Sequence, residues 1–317
     1  MKIYIVILKQ NVAQISMKYL LLIFILSFSL YANNYNIKLT KVTPNIYCHI
    51  GKFDPPSKSN KSDVSNICYI DIGDSLVVIE PGPTYNFAKE FVKLIENKTN
   101  KKVSAVIASN YHDDRIYGAS YYRSKGIDFI AHKKIISDIK SNPNKFNRLP
   151  KLLSKDTFKN TKLVYPNILV DDGYTIKGSK LNIKILKLSK VSDSPSDIVV
   201  YIPQEKFLFV GNIIFTNRMI RYHHDSNLDL WLEALNKISK MTLRYIVPGH
   251  GEDFSNTNYI QMIEYLNKLR KVKNLYENDV DRLDINIDFS KFKNRAHYND
   301  LVNRNVSEYY NQLEWAE

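Results

Sequence analysis

From Ile37 onward, apolar runs alternate with polar turns in a rhythm that changes along the chain. In "YIDIGDSLVVIE" two apolar runs flank a Gly-Asp turn, which predicts a hairpin. "NFAKEFVKLIENK" puts Phe87, Phe91, Leu94 and Ile95 at helical spacing. "VSAVIAS" and "GIDFIAH" read as strands, and Ser141 to Val170 as a polar, irregular stretch with short helix. Four more strands follow in "YTIKGSKLNIKILKL", "SDIVVYIP", "KFLFVGNIIF" and "LRYIVPGH". Between the last two, Leu228, Trp231, Leu232, Leu235 and Ile238 predict an amphipathic helix, capped by Ser226 or Asn227. Strands in hairpins and singles, mixed with helices, point to an α+β architecture of packed sheets with helices outside.

After His250 the pattern becomes helical. Tyr259, Ile263, Leu266 and Leu269 mark one helix, and a last one falls near Val306 to Trp315. Residues 256–317 read as a helical C-terminal extension of the domain at 33–255. Residues 1–32 have another character. Met17 and Lys18 precede an apolar run from Tyr19 to Leu30, and Ala32 stands before two asparagines. A basic start, a short apolar stretch and a small residue predict a signal peptide cut after Ala32, with translation starting at Met17. The run is shorter than the ~20 residues of a spanning helix, which argues against a stable membrane anchor. The expected location is periplasmic or secreted.

Composition adjusts this picture in three ways. The 317 residues, 44% of them hydrophobic, suffice for one large core. The net charge of +13 is spread over scattered lysines, without an Arg-rich run or an aromatic-basic stripe. No nucleic acid is therefore expected, and the small-molecule substrate expected instead follows from the motifs below. The two cysteines, Cys48 and Cys68, lie in β-like runs around a polar loop. In an exported chain they form either a disulfide or two buried thiols.

Five segments carry the candidate chemistry: "NICYIDIGDSLVVIEPGP", "SNYHDDRIYGA", "SDSPSDIVVYIP", "LFVGNII" and "IVPGHGE". In this order they resemble the metallo-β-lactamase superfamily, over residues from about 40 to 255. The resemblance implies an αββα sandwich with zinc at one sheet edge, where bound metal brings the pKa of water toward ~7 and polarises a carbonyl. On the family's ligand positions the chain has Asn110, His112 and Asp193 for the first metal, and Asp114, Asn212 and His250 for the second. Asn110 and Asp193 stand where histidines are usual, and Asn212 where Asp or Cys is usual.

"NYHDDR" is similar to the turn of the mono-zinc carbapenemase subclass. The tail "NRNVSEYYNQLE" is similar to periplasmic hydrolases of the sulfur-oxidation and quinoprotein-associated branch. The implied cofactor is one zinc ion or none. Asp114 and His250 would hold it and orient water, Asn212 would be a weak oxygen ligand, and His112 and Asp193 would add an imidazole and a carboxylate. Arg115, Arg218 and Arg221 are candidates for binding a substrate carboxylate. Of the adjacent His223 and His224, at most one faces the site, either as a surrogate ligand or as a loop residue. Two functions remain open: an exported hydrolase of an ester, thioester or amide with an altered, single-metal site, or a non-catalytic binding protein that reuses the fold.

Overall fold

The computed structural model describes residues 35–316. The predicted signal peptide and its cut after Ala32 lie outside them. Two sheets form the centre. Strands β1 (Thr40–Thr43), β2 (Ile46–His49), β3 (Ile67–Asp71), β4 (Leu76–Ile79), β5 (Val103–Ile107), β6 (Asp128–His132) and β7 (Ile168–Val170) make the first, in chain order. Strands β8 (Tyr174–Lys177), β9 (Asn182–Leu186), β10 (Val199–Ile202), β11 (Phe207–Phe215) and β12 (Tyr245–His250) make the second, in the order β12-β11-β10-β9-β8. The first sheet is antiparallel to β4 and parallel from there on, as a hairpin followed by helical crossovers requires.

All nine residues of β11 are buried, and its first four alternate between two cores. Phe207 and Phe209 point between the sheets, where they join Ile70, Ile79, Ile107, Ile185 and Val200. Leu208 and Val210 point the other way, against helices α6 (Leu228–Ser239), α7 (Tyr259–Tyr276) and α8 (Tyr298–Glu314) through Trp231, Leu235, Leu266 and Tyr309. The helical residues 259–314 therefore share a core with the outer face of the second sheet. Helix α1 (Tyr85–Thr99) buries Phe87, Phe91 and Ile95. Thr84 Oγ1 accepts from Phe87 N at 3.1 Å to start it, and Asn100, at φ 56°, ends it. Asn227, one of the two expected caps, accepts from Leu230 N at 2.9 Å and starts α6.

The sandwich has the α+β form expected, with one added element. Within the stretch read as irregular, Ile168–Val170 forms edge strand β7, paired parallel to β6. Three residues are too few to show alternation, so only the neighbouring strand defines them. Cys48 and Cys68 are paired directly across β2 and β3 and are joined, with Cα atoms 4.0 Å apart.

Candidate functional site

The strand ends and the turns after them build the site. The turn after β5 runs into α2 (Asp113–Ile116) and carries Asn110 to Arg115. The segment before β10 brings Asp193, β11 brings Asn212 and the end of β12 brings His250. A glycine lets these elements close up. Gly211 adopts φ +53°, and a Cβ there would stand 2.3 Å from Ser109 Oγ. The loop between β2 and β3 is tied to the end of β12 by Asn66, whose Nδ2 donates to the carbonyls of Pro248 at 3.0 Å and Gly251 at 2.6 Å. That loop presents the Val64 carbonyl 2.6 Å from His250 Nδ1. Nδ1 therefore carries the proton, and the lone pair on Nε2 faces inward.

That lone pair faces Arg115. The side chain is fully buried. Nη1 donates to Glu80 Oε1 at 3.0 Å and to Ser109 Oγ at 3.3 Å, while Nη2 lies 2.6 Å from Asn212 Oδ1 and 2.9 Å from His250 Nε2. Asp114 Oδ2 is 3.7 Å from Nη2 and 3.7 Å from His250 Nε2. Glu80, at φ 70°, also accepts from the Ser109 hydroxyl and from Ser109 N at 3.2 Å. Burial opposes ionisation throughout this network. It raises Glu80, against the pull of Arg115 and Ser109, and lowers His250, helped by Arg218 and Arg115. Burial also works against the Asp114 carboxylate, yet Arg115, His250, Arg148 and Arg218 together hold it below the usual range.

Asn212 links this half of the site to the next. With Oδ1 held by Arg115, Nδ2 donates to Asp193 Oδ2 at 2.9 Å and lies 3.2 Å from His112 Nδ1. His112 Nδ1 is thereby the acceptor and Nε2 carries the ring proton, 3.3 Å from Asp193 Oδ2 but without hydrogen-bond geometry. Burial, with Lys145 and His223, lowers His112. Burial, with Asp197, raises Asp193. Asn110 does not reach this group. Its Oδ1 accepts from His112 N at 3.1 Å, and its Nδ2 donates to Asp197 Oδ1 at 3.2 Å. It shapes the turn and faces the loop before β10.

A cleft of about 530 Å³ lies over these residues, with His112, Asp114, Asn212 and His250 on its floor. Lys145, Arg148, Arg218, Arg221 and Arg304 line its sides, against Asp113, Asp114 and Asp300. Arg148 forks onto Asp113 at 2.9 and 2.5 Å, leaving a positive excess among the other four cations. Arg218 has a buried Nε without a partner among the described residues, and burial lowers its pKa to about 10. The expectation that Arg115 meets substrate does not survive, because its guanidinium is directed into the protein and is absent from the cleft lining. The sequence reading also missed Lys145, Arg148 and Arg304. The first two sit in the stretch without periodicity, and the third on a helix whose position no local pattern reveals.

The fit of these groups to a metal differs between the halves. The lone pairs expected to hold an ion between Asp114 and His250 already face a cation, Arg115 Nη2. On the other side His112 Nε2 and Asp193 Oδ1 are buried without hydrogen-bond partners among the described residues. His112, Asp193 and His223 each offer one ligand atom within 4.8 Å of the other two.

Residues 61–250 match the family model described as the metallo-beta-lactamase superfamily. The chain belongs to that superfamily. It is 24% identical over 223 residues to the metallo-beta-lactamase type 2 of Bacillus cereus, covering 68% of this chain and 77% of the relative. It is also 24% identical over 229 residues to the enzyme of that name from Elizabethkingia meningoseptica, covering 71% and 82%. A solved metallo-beta-lactamase from Pontibacter korlensis superposes with a TM-score of 0.60 at 16% identity, over 73% of this chain and 99% of that one. The chain thus has the fold of its relatives.

Proposed function

We propose that this protein is an exported hydrolase of a small anionic ester, thioester or amide, working with a single metal on the His112–Asp193 side of its site. The observation that carries the reading is the pairing of two unsatisfied buried ligand atoms with a cleft whose walls are cationic. His112 and Asp193 would hold the metal, which would supply polarisation of a carbonyl and activation of water. The chain itself orients the substrate: Arg218, Arg221 and Arg304 take its anionic group, and the burial of the floor excludes bulk water. The Cys48–Cys68 pair supports export, since disulfides persist in oxidising compartments.

The test is turnover of paired anionic and neutral esters, thioesters and β-lactams by the zinc-loaded protein, with and without chelator. Chelator-sensitive hydrolysis that favours the anionic member is expected. Arg218→Ala should raise KM for it about tenfold or more, as a lost charge-assisted contact implies. A zinc-loaded protein that turns over neither member would refute this reading. N-terminal sequencing of the chain from its native host should give Asn33 as the first residue, and an intact leader would remove the export.

A second reading has its own observation. Arg115 occupies the position between Asn212 and His250, so a protein cation holds that half together without metal. Anion binding without turnover, unchanged by chelator, would make the protein a binding protein on a hydrolase fold.

A further inference from the structure

The segment between β11 and α6 contributes a histidine that lies outside the five segments carrying the candidate chemistry. His223 meets the His112 ring edge-on, with centroids 5.3 Å apart and planes at 86°. Its ring takes no hydrogen bond among the described residues, although both rings line the cleft. Beside it His112 Nε2 and Asp193 Oδ1 are also without partners. A buried polar atom left unpaired costs about 1–3 kcal/mol, so two adjacent ones call for a shared partner. The spacing suits a metal. Ligand atoms about 2.0–2.1 Å from a tetrahedral zinc stand roughly 3.3 Å from one another. His112 Nε2 and Asp193 Oδ2 are 3.3 Å apart, and the ligand atoms of all three residues lie within 4.8 Å of each other. Rotation of the His223 ring, which no hydrogen bond restrains, closes the remaining gap.

We infer that His223 replaces the imidazole missing at Asn110, and that His112, Asp193 and His223 form one site for a zinc-type divalent metal. The inference rests on the single-metal reading above and names its third ligand. Asn212 tunes the site. Its Nδ2 donates to His112 Nδ1, which places the ring proton on Nε2. Metal entry at Nε2 moves that proton to Nδ1, where it opposes the Asn212 amide, and the charge of the ring does not change. The native site is therefore weak. Asn212→Asp would present an acceptor to Nδ1 and tighten it.

The test is titration of the chelator-stripped full chain with Co²⁺, read by its visible absorption, followed by competition with Zn²⁺. Wild type should take up one equivalent with the intense bands of a four-coordinate ion. His223→Gln should weaken binding at least tenfold, while His224→Gln on the neighbouring exposed histidine should stay within twofold. Asn212→Asp should tighten binding by tenfold or more. Circular dichroism and melting of each variant separate lost ligation from lost fold, and His223→Cys, which restores a ligand, should recover binding if His223→Gln unfolds. One equivalent bound by wild type and by folded His223→Gln with equal affinity would overturn the role of His223 and leave the single-metal reading standing. No cobalt or zinc bound by wild type would overturn both.

Discussion

Asp114, Asn212 and His250 on one side of the cleft, and His112, Asp193 and His223 on the other, face the same problem of polar atoms removed from water and meet it differently. In the first group Arg115 Nη2 is the cation, 2.6 Å from Asn212 Oδ1 and 2.9 Å from His250 Nε2, with Glu80 closing the charge balance behind it. In the second, His112 Nε2 and Asp193 Oδ1 lack partners. One half of the cleft floor is thus closed by a protein cation, and the other is left with unpaired polar atoms. The filled half should behave as structure, and the open half as a place for a ligand.

The largest test of that contrast is Arg115→Met. It removes a buried guanidinium and strands the Glu80 carboxyl, which is as buried as its partner. Breaking a buried pair by removing one member typically costs about 3–5 kcal/mol. Denaturant unfolding should show that loss, and Arg115→Met with Glu80→Gln should recover part of it. A single variant as stable as wild type would show that the filled half is not held together by its cation.

Much of this arrangement could be read from the sequence, for identifiable reasons. "SNYHDDR" and "IVPGHGE" sit at strand ends, so motif order and strand periodicity together locate His112, Asp114 and His250. The packing of α6 was legible in Trp231, Leu232 and Leu235 because burial imposes a 3.6 period. Two matters were not legible. The direction of the Arg115 side chain depends on Glu80, 35 positions earlier, and on Asn212, 97 positions later, so no local pattern encodes it. The cleft's cations come from three separate segments, and Lys145 and Arg148 lie where neither period applies. The His223-His224 pair was ambiguous for a related reason. Alternation says that at most one faces in, yet both line the cleft, and only the fold shows that His223 meets His112.

Acid separates the site from the rest of the molecule at a smaller scale. Burial, with Lys187, lowers His132 to about 4 from an ordinary 6.5, and His132 lies on β6 away from the cleft. A histidine whose folded pKa is lowered is protonated first in the unfolded chain. Its contribution is complete above about pH 6.5 and is lost as pH falls toward 4. Asp171 beside it is largely exposed, so it restores little of the stability that burial takes from the imidazolium. Melting temperatures between pH 7.5 and 4.5 should fall with acid, and His132→Asn should flatten the slope. The slope that remains sets the buried histidines of the site, including His250, against buried carboxyls that burial raises, such as Asp138 at about 6 and Glu80. An unchanged slope would place all the acid sensitivity in those groups.

Asp193→Asn should have the opposite balance to Arg115→Met. The carboxylate has one oxygen held by Asn212 and one without a partner, and burial raises its pKa. Removing a buried, incompletely paired charge should leave stability within about 1 kcal/mol or improve it. Metal uptake should nevertheless be lost. A variant destabilised as much as Arg115→Met would mean that the open half is also structural, and the contrast between the halves would fail.

The smallest effect on the fold belongs at the rim. Arg304 is exposed on α8, yet it lines the same cleft as His112 and Asn212, which reach it from the sheet edges. A surface substitution away from packed features usually changes stability by less than about 0.5 kcal/mol, so Arg304→Gln should melt as wild type does. Its charge acts on the ligand instead. Losing one cation from a positive wall should weaken binding of a small anionic ester by about two- to fivefold at low ionic strength, and the difference should shrink in 0.5 M salt as screening takes over. Arg218→Ala, which removes a half-buried cation beside His250, should cost more and depend less on salt. Calorimetric titration of both variants at two salt concentrations measures this. Equal affinities for wild type and Arg304→Gln at low salt would exclude the C-terminal helix from ligand binding and confine recognition to the sandwich.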